Sequence, residues 1–157
     1  SEVGRGTSVR VYLPVQEAES PQAHAGERGR PVGAAKGETV LVVEDDARVR
    51  RVSVRRLKQL GYRVIEAPDG PAALAALDRA SAVHVLFTDL VMPGGMSGLE
   101  LARAARAKRP DIAVLFTSGY ADPAIVKGEM LTERAEWLGK PYAAGDLATR
   151  LRRLLDH

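Results

Sequence analysis

An α/β fold with a doubly wound, mostly parallel sheet is predicted by three features of this sequence. Continuous apolar runs such as TVLVVE (39–44) and IAVLFT (112–117) mark strands buried on both faces, because a strand covered on one side only would alternate. Stretches with apolar residues at helical spacing separate these runs. Helix punctuation falls between them, with Gly61 as a stop and Pro71 as a start. Strands and helices in strict alternation imply crossover connections and hence a parallel sheet.

The regular pattern begins at Glu38, and 39–44 is the first strand. DDARVRRVSVRRLKQLG then places Val49, Val52, Leu57 and Leu60 near helical spacing and ends at Gly61. YRVIEA (62–67) is the second strand. PDGPAALAALDRA follows as a helix, with Asp69 near its start and Pro71 in the first turn, where the missing N–H costs nothing. VHVLFT (83–88) is the third strand, SGLELARAARAKR a helix, and 112–117 the fourth strand. A weaker helix falls around 123–131, a short strand at 135–138 and a final helix at 146–155. The sum is five strands and five helices, with no internal repeat.

Residues 1–36 differ in texture. Ser8 to Leu13 could form one strand, and QEAESPQAHAGERGRPVGAAKG has linker composition. This segment is expected to be a passenger that the fold survives without.

Composition excludes several classes. Hydrophobic residues make up 45% of the 157, enough for a core, but aromatics only 4%, so the core must be aliphatic. The absence of cysteine removes disulfides, thiolate chemistry and zinc–thiolate sites. No apolar run is long enough to span a bilayer and no signal-peptide pattern opens the chain, so a cytoplasmic location is expected. The first residue is Ser rather than Met, which suggests a piece of something longer. With 23 basic against 20 acidic residues the charge excess is mild, and no nucleic-acid-binding pattern accompanies it. Neither nucleic acid nor a membrane is an expected partner.

In an open parallel α/β sheet, ligands sit at the carboxyl ends of the strands. The first strand delivers Glu44 and Asp45 there, with Asp46 next; the third delivers Asp89, the fourth Thr117 and Ser118, and the fifth Lys140 before Pro141. If the first and third strands are neighbours, their carboxylates converge and raise one another's pKa unless a cation intervenes. A hard divalent ion such as Mg²⁺ resolves that repulsion. Each residue also has an ordinary explanation. The acids can simply favour a helix start, Asp89 can cap a turn, Thr117 and Ser118 can be strand-end polar residues, and Lys140 can be a loop lysine. Four successive strand ends so furnished are hard to explain as independent accidents.

The motifs VLVVEDD, LFTDLVMPGGMSGLEL, VLFTSGY and WLGKPY, in this order and spacing, make 38–157 resemble a two-component response-regulator receiver domain. The resemblance implies a flavodoxin-like fold with strand order 2-1-3-4-5. It implies Asp89 as phosphoacceptor, and Mg²⁺ held by Glu44, Asp45, Asp89 and the backbone carbonyl of Val91. Thr117 becomes the hydroxyl that turns toward the phosphoryl oxygens and Lys140 its cationic partner. Trp137 occupies the position of the family's aromatic switch residue, usually Tyr or Phe. The second glycine in MPGGMSG lengthens the turn after Asp89 relative to many receivers.

GRGTSVRVYLP resembles the last glycine motif and terminal strand of a histidine-kinase ATP-binding domain. The expected organisation is therefore a remnant of that domain at 1–14, a flexible linker at 15–37 and the receiver at 38–157. The parent resembles a hybrid sensor histidine kinase, with or without a membrane anchor. This piece is expected to have no kinase activity, only weak phosphotransfer and autodephosphorylation chemistry. Its implied partners are a histidine kinase dimerisation domain or a histidine phosphotransfer protein. With no DNA-binding domain after the last helix, the signal is expected to leave through another protein. The first helix carries Arg48, Arg50, Arg51, Arg55, Arg56 and Lys58 without an acid between them, which fits a solvated face or the docking of an acidic helix. His24, His84 and His157 do not resemble a phosphodonor site. Two rivals remain: an aspartate-nucleophile phosphatase, whose Asp-x-Asp-x-Thr run VVEDDARV does not supply from Asp45, and a pseudo-receiver that only binds protein.

Overall fold

The computed structural model describes residues 35–93, 95–119 and 134–156. The strands are β1 (Thr39–Val43), β2 (Arg63–Ala67), β3 (Val85–Asp89), β4 (Ala113–Ser118) and β5 (Ala135–Gly139). The helices are α1 (Ala47–Gln59), α2 (Gly70–Arg79), α3 (Gly98–Lys108) and α4 (Ala144–Leu155). All strand pairs are parallel and the order is β2-β1-β3-β4-β5, as expected. Four helices lie among the described residues. The one expected around 123–131 and the N-terminal segment up to residue 34 fall outside them.

The unbroken apolar runs have a plain cause. Successive side chains of a strand point to opposite faces, and here both faces are covered. Leu41, Val43, Leu86, Val114 and Phe116 pack with residues of α2 and α3. Val40, Val42, Val85, Phe87 and Leu115 pack on the other side with residues of α1 and α4. Every residue of β1 is buried, while the edge strand β2 exposes Arg63 and Glu66. Charged residues on an edge strand discourage pairing with another chain.

Local chemistry sets the helix ends. Asp46 accepts the N–H groups of Arg48 and Val49, at 2.7 and 3.2 Å, and so caps α1. Asp69 caps α2 by accepting Ala72 N–H at 2.8 Å. Ser97 and Glu100 form a reciprocal capping box at the start of α3. The last helix begins two residues before the expected 146, where Asp146 reaches back to accept Ala143 N–H at 3.3 Å and secures the helix start. The third strand is shifted too: it runs to Asp89, and His84 precedes it while still donating its N–H to Thr39 O at 2.9 Å.

One boundary needs correction. Ala35 falls in the stretch read as linker and passenger, yet it is buried at 5% exposure and its N–H donates to Leu60 O at 2.9 Å. It packs beside Gly61, whose φ of 90° lies in the left-handed region that glycine adopts without strain. Lys36 also pairs with Asp156 at 3.3 Å.

Glu38 and Arg152 join the start of β1 to α4 at 2.6 Å, with both side chains largely buried. Burial pushes the Glu38 carboxyl up, but the Arg152 guanidinium and two backbone N–H groups outweigh it and hold the group below its ordinary value. A depressed folded pKa means that the pair's contribution is complete above the unfolded value of about 4.3 and is lost as pH falls through the lower folded value. Glu38→Gln should therefore cost about 2 kcal/mol at pH 7. In urea titrations the gap between parent and variant should shrink at pH 3; an equal gap at both values would rule the ion pair out as its cause.

Candidate functional site at the carboxyl edge of the sheet

The strand order places the ends of β1, β3, β4 and β5 side by side, and each delivers a polar group to one edge. Glu44 follows β1 directly and is only 5% exposed, an uncommon burial for a carboxylate. Asp45, next along, is exposed. Asp89 ends β3, opposite Thr117 of β4 in the ladder. Lys140 follows β5, anchored by donation of its N–H to Ser118 O at 2.9 Å.

These groups meet. Lys140 Nζ lies 2.6 Å from Glu44 Oε2 and 2.7 Å from Asp89 Oδ2. One carboxylate oxygen from each of Glu44, Asp45 and Asp89 lies within 4.8 Å of the others. Burial raises the pKa of Glu44; Lys140 opposes that rise, and repulsion from Asp89 and Asp45 adds to it. For Lys140 burial works downward, but its pairing with Asp89 and Glu44 wins and raises its pKa. Asp89 Oδ1 also accepts Val91 N–H at 3.3 Å.

Three carboxylates against one ammonium leave two negative charges uncompensated. An all-oxygen donor set of that charge fits a hard divalent cation.

The remaining expected residues are placed as follows. Thr117 is fully buried, and its hydroxyl donates to Thr88 O at 3.4 Å, along the sheet. Val91 is 65% exposed beside Asp89. Trp137 lies on β5, partly buried, with its ring against Gly139 and its Nε1 buried without a partner among the described residues. Asp46 is not part of the cluster, since its carboxylate caps α1.

Sequence reasoning passed over several residues that shape the site. Arg50 Nη1 donates to Glu44 O at 2.6 Å and Asp45 O at 3.4 Å, so it holds the loop that carries both acids. Its Nε also approaches Glu66 at 3.6 Å. Tyr142 is fastened by Ser53, hydroxyl to hydroxyl at 2.9 Å, and by Arg56, which donates to its carbonyl at 2.9 Å and lies over its ring. That clasp fixes the loop bearing Lys140. In the sequence Arg50 and Arg56 read as part of the cationic surface of the helix. The available signal was their register, which puts them on the sides of α1 that face the two loops.

Comparison with known proteins agrees with the geometry. The family model described as the response regulator receiver domain matches residues 40–152. The chain is 35% identical to the sensor kinase CckA of Brucella abortus over 99% of its own length and 17% of the kinase's. It therefore spans about a sixth of that relative. It is 34% identical to the response regulator receiver protein CpdR of the same organism, over 74% of this chain and 95% of that protein. Among solved structures, the receiver domain of the hybrid histidine kinase CckA superposes with a TM-score of 0.62 at 34% identity, covering 74% of this chain and 98% of that one. The Vibrio cholerae chemotaxis protein CheY4 gives a TM-score of 0.70 at 29% identity, covering 76% and 99%. With its acids and lysine gathered where that fold carries its chemistry, the chain belongs to the response regulator receiver domain family, the phosphoacceptor modules of two-component signalling.

Proposed function

We propose that Asp89 is the phosphoacceptor, and that it takes its phosphoryl group from a phosphohistidine on a histidine kinase dimerisation domain or a histidine phosphotransfer protein. The observation that carries this reading is the contact of Asp89 with Lys140 at 2.7 Å, with Glu44 and Asp45 gathered about the same point. An Asp89 carboxylate oxygen attacks phosphorus, the new P–O bond forms as the P–N bond breaks, and the electron pair leaves on the imidazole nitrogen. Position and charge supply most of what such a transfer needs. Glu44, Asp45, Asp89 and the carbonyl of Val91 would hold Mg²⁺, which supplies charge neutralisation at the phosphoryl oxygens. Lys140 stays within reach of the same oxygens.

Thr117 and Trp137 form the switch. The Thr117 hydroxyl leaves Thr88 O to donate to the new phosphoryl group, since a long 3.4 Å bond to a neutral carbonyl is readily exchanged for a charge-assisted one. Trp137, one strand over, responds to the space this vacates. The chain either relays the group or drains it by hydrolysis, as the receiver of a hybrid kinase. α1 suits the approach of a partner: Arg48, Arg51, Arg55 and Lys58 are exposed, and Val52, 50% exposed, rims a cavity of about 560 Å³ that Lys140 and Tyr142 also line.

Incubation with acetyl phosphate and Mg²⁺ should raise the intact mass by one phosphoryl group; an unchanged mass would sink the reading. Mg²⁺ alone should shift the amide resonances of Glu44, Asp45 and Val91. Shifts confined to α4 would count against the ligand set.

A further inference from the structure

The outer face of α1 carries a row of cations without counter-charges. Arg48, Arg51, Arg55 and Lys58 are all exposed and follow one another at spacings of three and four, which puts them on one side of the helix. Like charges so placed destabilise a helix, and no acid stands between Ala47 and Gln59 to relieve them. Arg51, Arg55 and Lys58 form no ion pair among the described residues. Arg51 Nε donates only to Ala47 O, at 3.1 Å, on its own helix. Between this row and the edge strand β2 lies a groove of about 520 Å³, lined by Arg51, Val54, Arg55, Lys58, Gln59 and Glu66. Its carboxylate, Glu66, is engaged by Arg50 at 3.6 Å.

The entering chain arrives at this face. Ala35 is buried and donates its N–H to the carbonyl of Leu60, the residue that ends α1. The chain before Ala35 therefore starts from the end of the cationic row, next to Lys58 and Gln59. Between Arg10 and Glu27 its only Asp, Glu, Lys or Arg residues are Glu17 and Glu19, both acidic. Glu19 lies sixteen residues before Ala35, a reach of up to about 50 Å. The 13 residues of α1 measure roughly 20 Å, so both glutamates can reach any part of the row. A tether of this kind holds them over the helix at roughly millimolar effective concentration. That populates a contact too weak to form between separate molecules.

We propose that residues 16–20, QEAES, dock on the cationic face of α1, with Glu17 and Glu19 set against Arg51, Arg55 and Lys58. An acidic partner approaching along α1 meets this segment first and has to displace it. The contact needs no phosphoryl group, so it is tested apart from the chemistry at Asp89.

The chain has no cysteine, so Ser20→Cys offers a single thiol for a nitroxide label. In the labelled full chain the amide NMR resonances of Arg51, Val54, Arg55 and Lys58 should broaden strongly. Those of Arg103 and Lys108 on α3, across the sheet, should not. Raising sodium chloride to about 0.5 M shortens the screening length to roughly 4 Å and should remove most of the broadening. Glu17→Gln with Glu19→Gln should cut it about fivefold, as the loss of two exposed ion pairs does. Arg51→Gln with Arg55→Gln, which changes only exposed side chains, should do the same from the other side. A glutamate-rich peptide added in excess should compete with the labelled segment and lessen the broadening. Broadening spread evenly over α1 and α3, or untouched by salt and by both double variants, would overturn the proposal. So would broadening transferred from labelled to unlabelled chains in a mixture, which assigns the face to a second copy. Peptide-induced shifts at α1 without any broadening from the label would likewise overturn it, leaving the face to a separate acidic partner.

Discussion

With Asp89 replaced by asparagine, acetyl phosphate and Mg²⁺ should give no phosphorylated species, while the melting temperature stays level or rises slightly. The amide matches the carboxylate in shape but has no anionic oxygen to attack phosphorus, so the loss should amount to orders of magnitude. The fold should survive because Lys140 keeps its contact with Glu44 at 2.6 Å. Burial holds the Glu44 carboxyl up, and repulsion from Asp89 and Asp45 raises it further, so removing one of those charges relieves strain in the ground state. Intact mass and thermal melting, measured side by side, separate loss of the nucleophile from loss of the fold. An undiminished mass gain would place the acceptor elsewhere; a collapsed melting temperature would mean that Asp89 is needed for the cluster itself.

What could be read from the sequence was whatever departs from a local rule. Glu44 and Asp89 stood out because each ends an apolar run that should continue or turn, and the sheet order then brought them together. The strands were legible for the same reason, as the full burial of β1 and β4 leaves no alternation to confuse. What stayed hidden depends on direction or on distance along the chain. Arg50 reads as one more cation of α1, and only the helix geometry turns it back onto the carbonyls of Glu44 and Asp45. Glu38 and Arg152 are 114 residues apart, and no local pattern links them. Ala35 sits in an Ala- and Gly-rich stretch where one buried methyl has no signature; its burial follows from the tight turn at Gly61. Thr117 was placed correctly on its strand, but the direction of a hydroxyl is set by its neighbours, here the Thr88 carbonyl.

Gly98→Ala should be the most damaging single methyl in the described chain, and for a reason that reaches the chemistry. A Cβ at Gly98 would stand 2.1 Å from the carbonyl oxygen of Asp89 and 3.0 Å from both its carbonyl carbon and the Leu90 Cα. All of these are backbone atoms, so no side chain can swing aside. Gly98 also donates its N–H to Leu90 O at 3.0 Å, which stitches the start of α3 to the residue after Asp89. Relief requires α3 to back away or the end of β3 to move, at a cost of about 1–3 kcal/mol. The melting temperature should fall by roughly 5–10 °C. Because the displaced carbonyl belongs to Asp89, the carboxylate moves with it, and small misplacements slow a reaction that depends on alignment. Phosphorylation by acetyl phosphate should therefore slow even at temperatures where the variant is folded. Gly145 provides the contrast. It too lies in the first turn of a helix, yet its Cβ would meet nothing within 4 Å. Gly145→Ala should stabilise the chain by up to about 1 kcal/mol and leave the phosphorylation rate alone. If both substitutions proved equally silent in melting and in rate, the approach of α3 to Asp89 would have to be looser than the backbone contact requires.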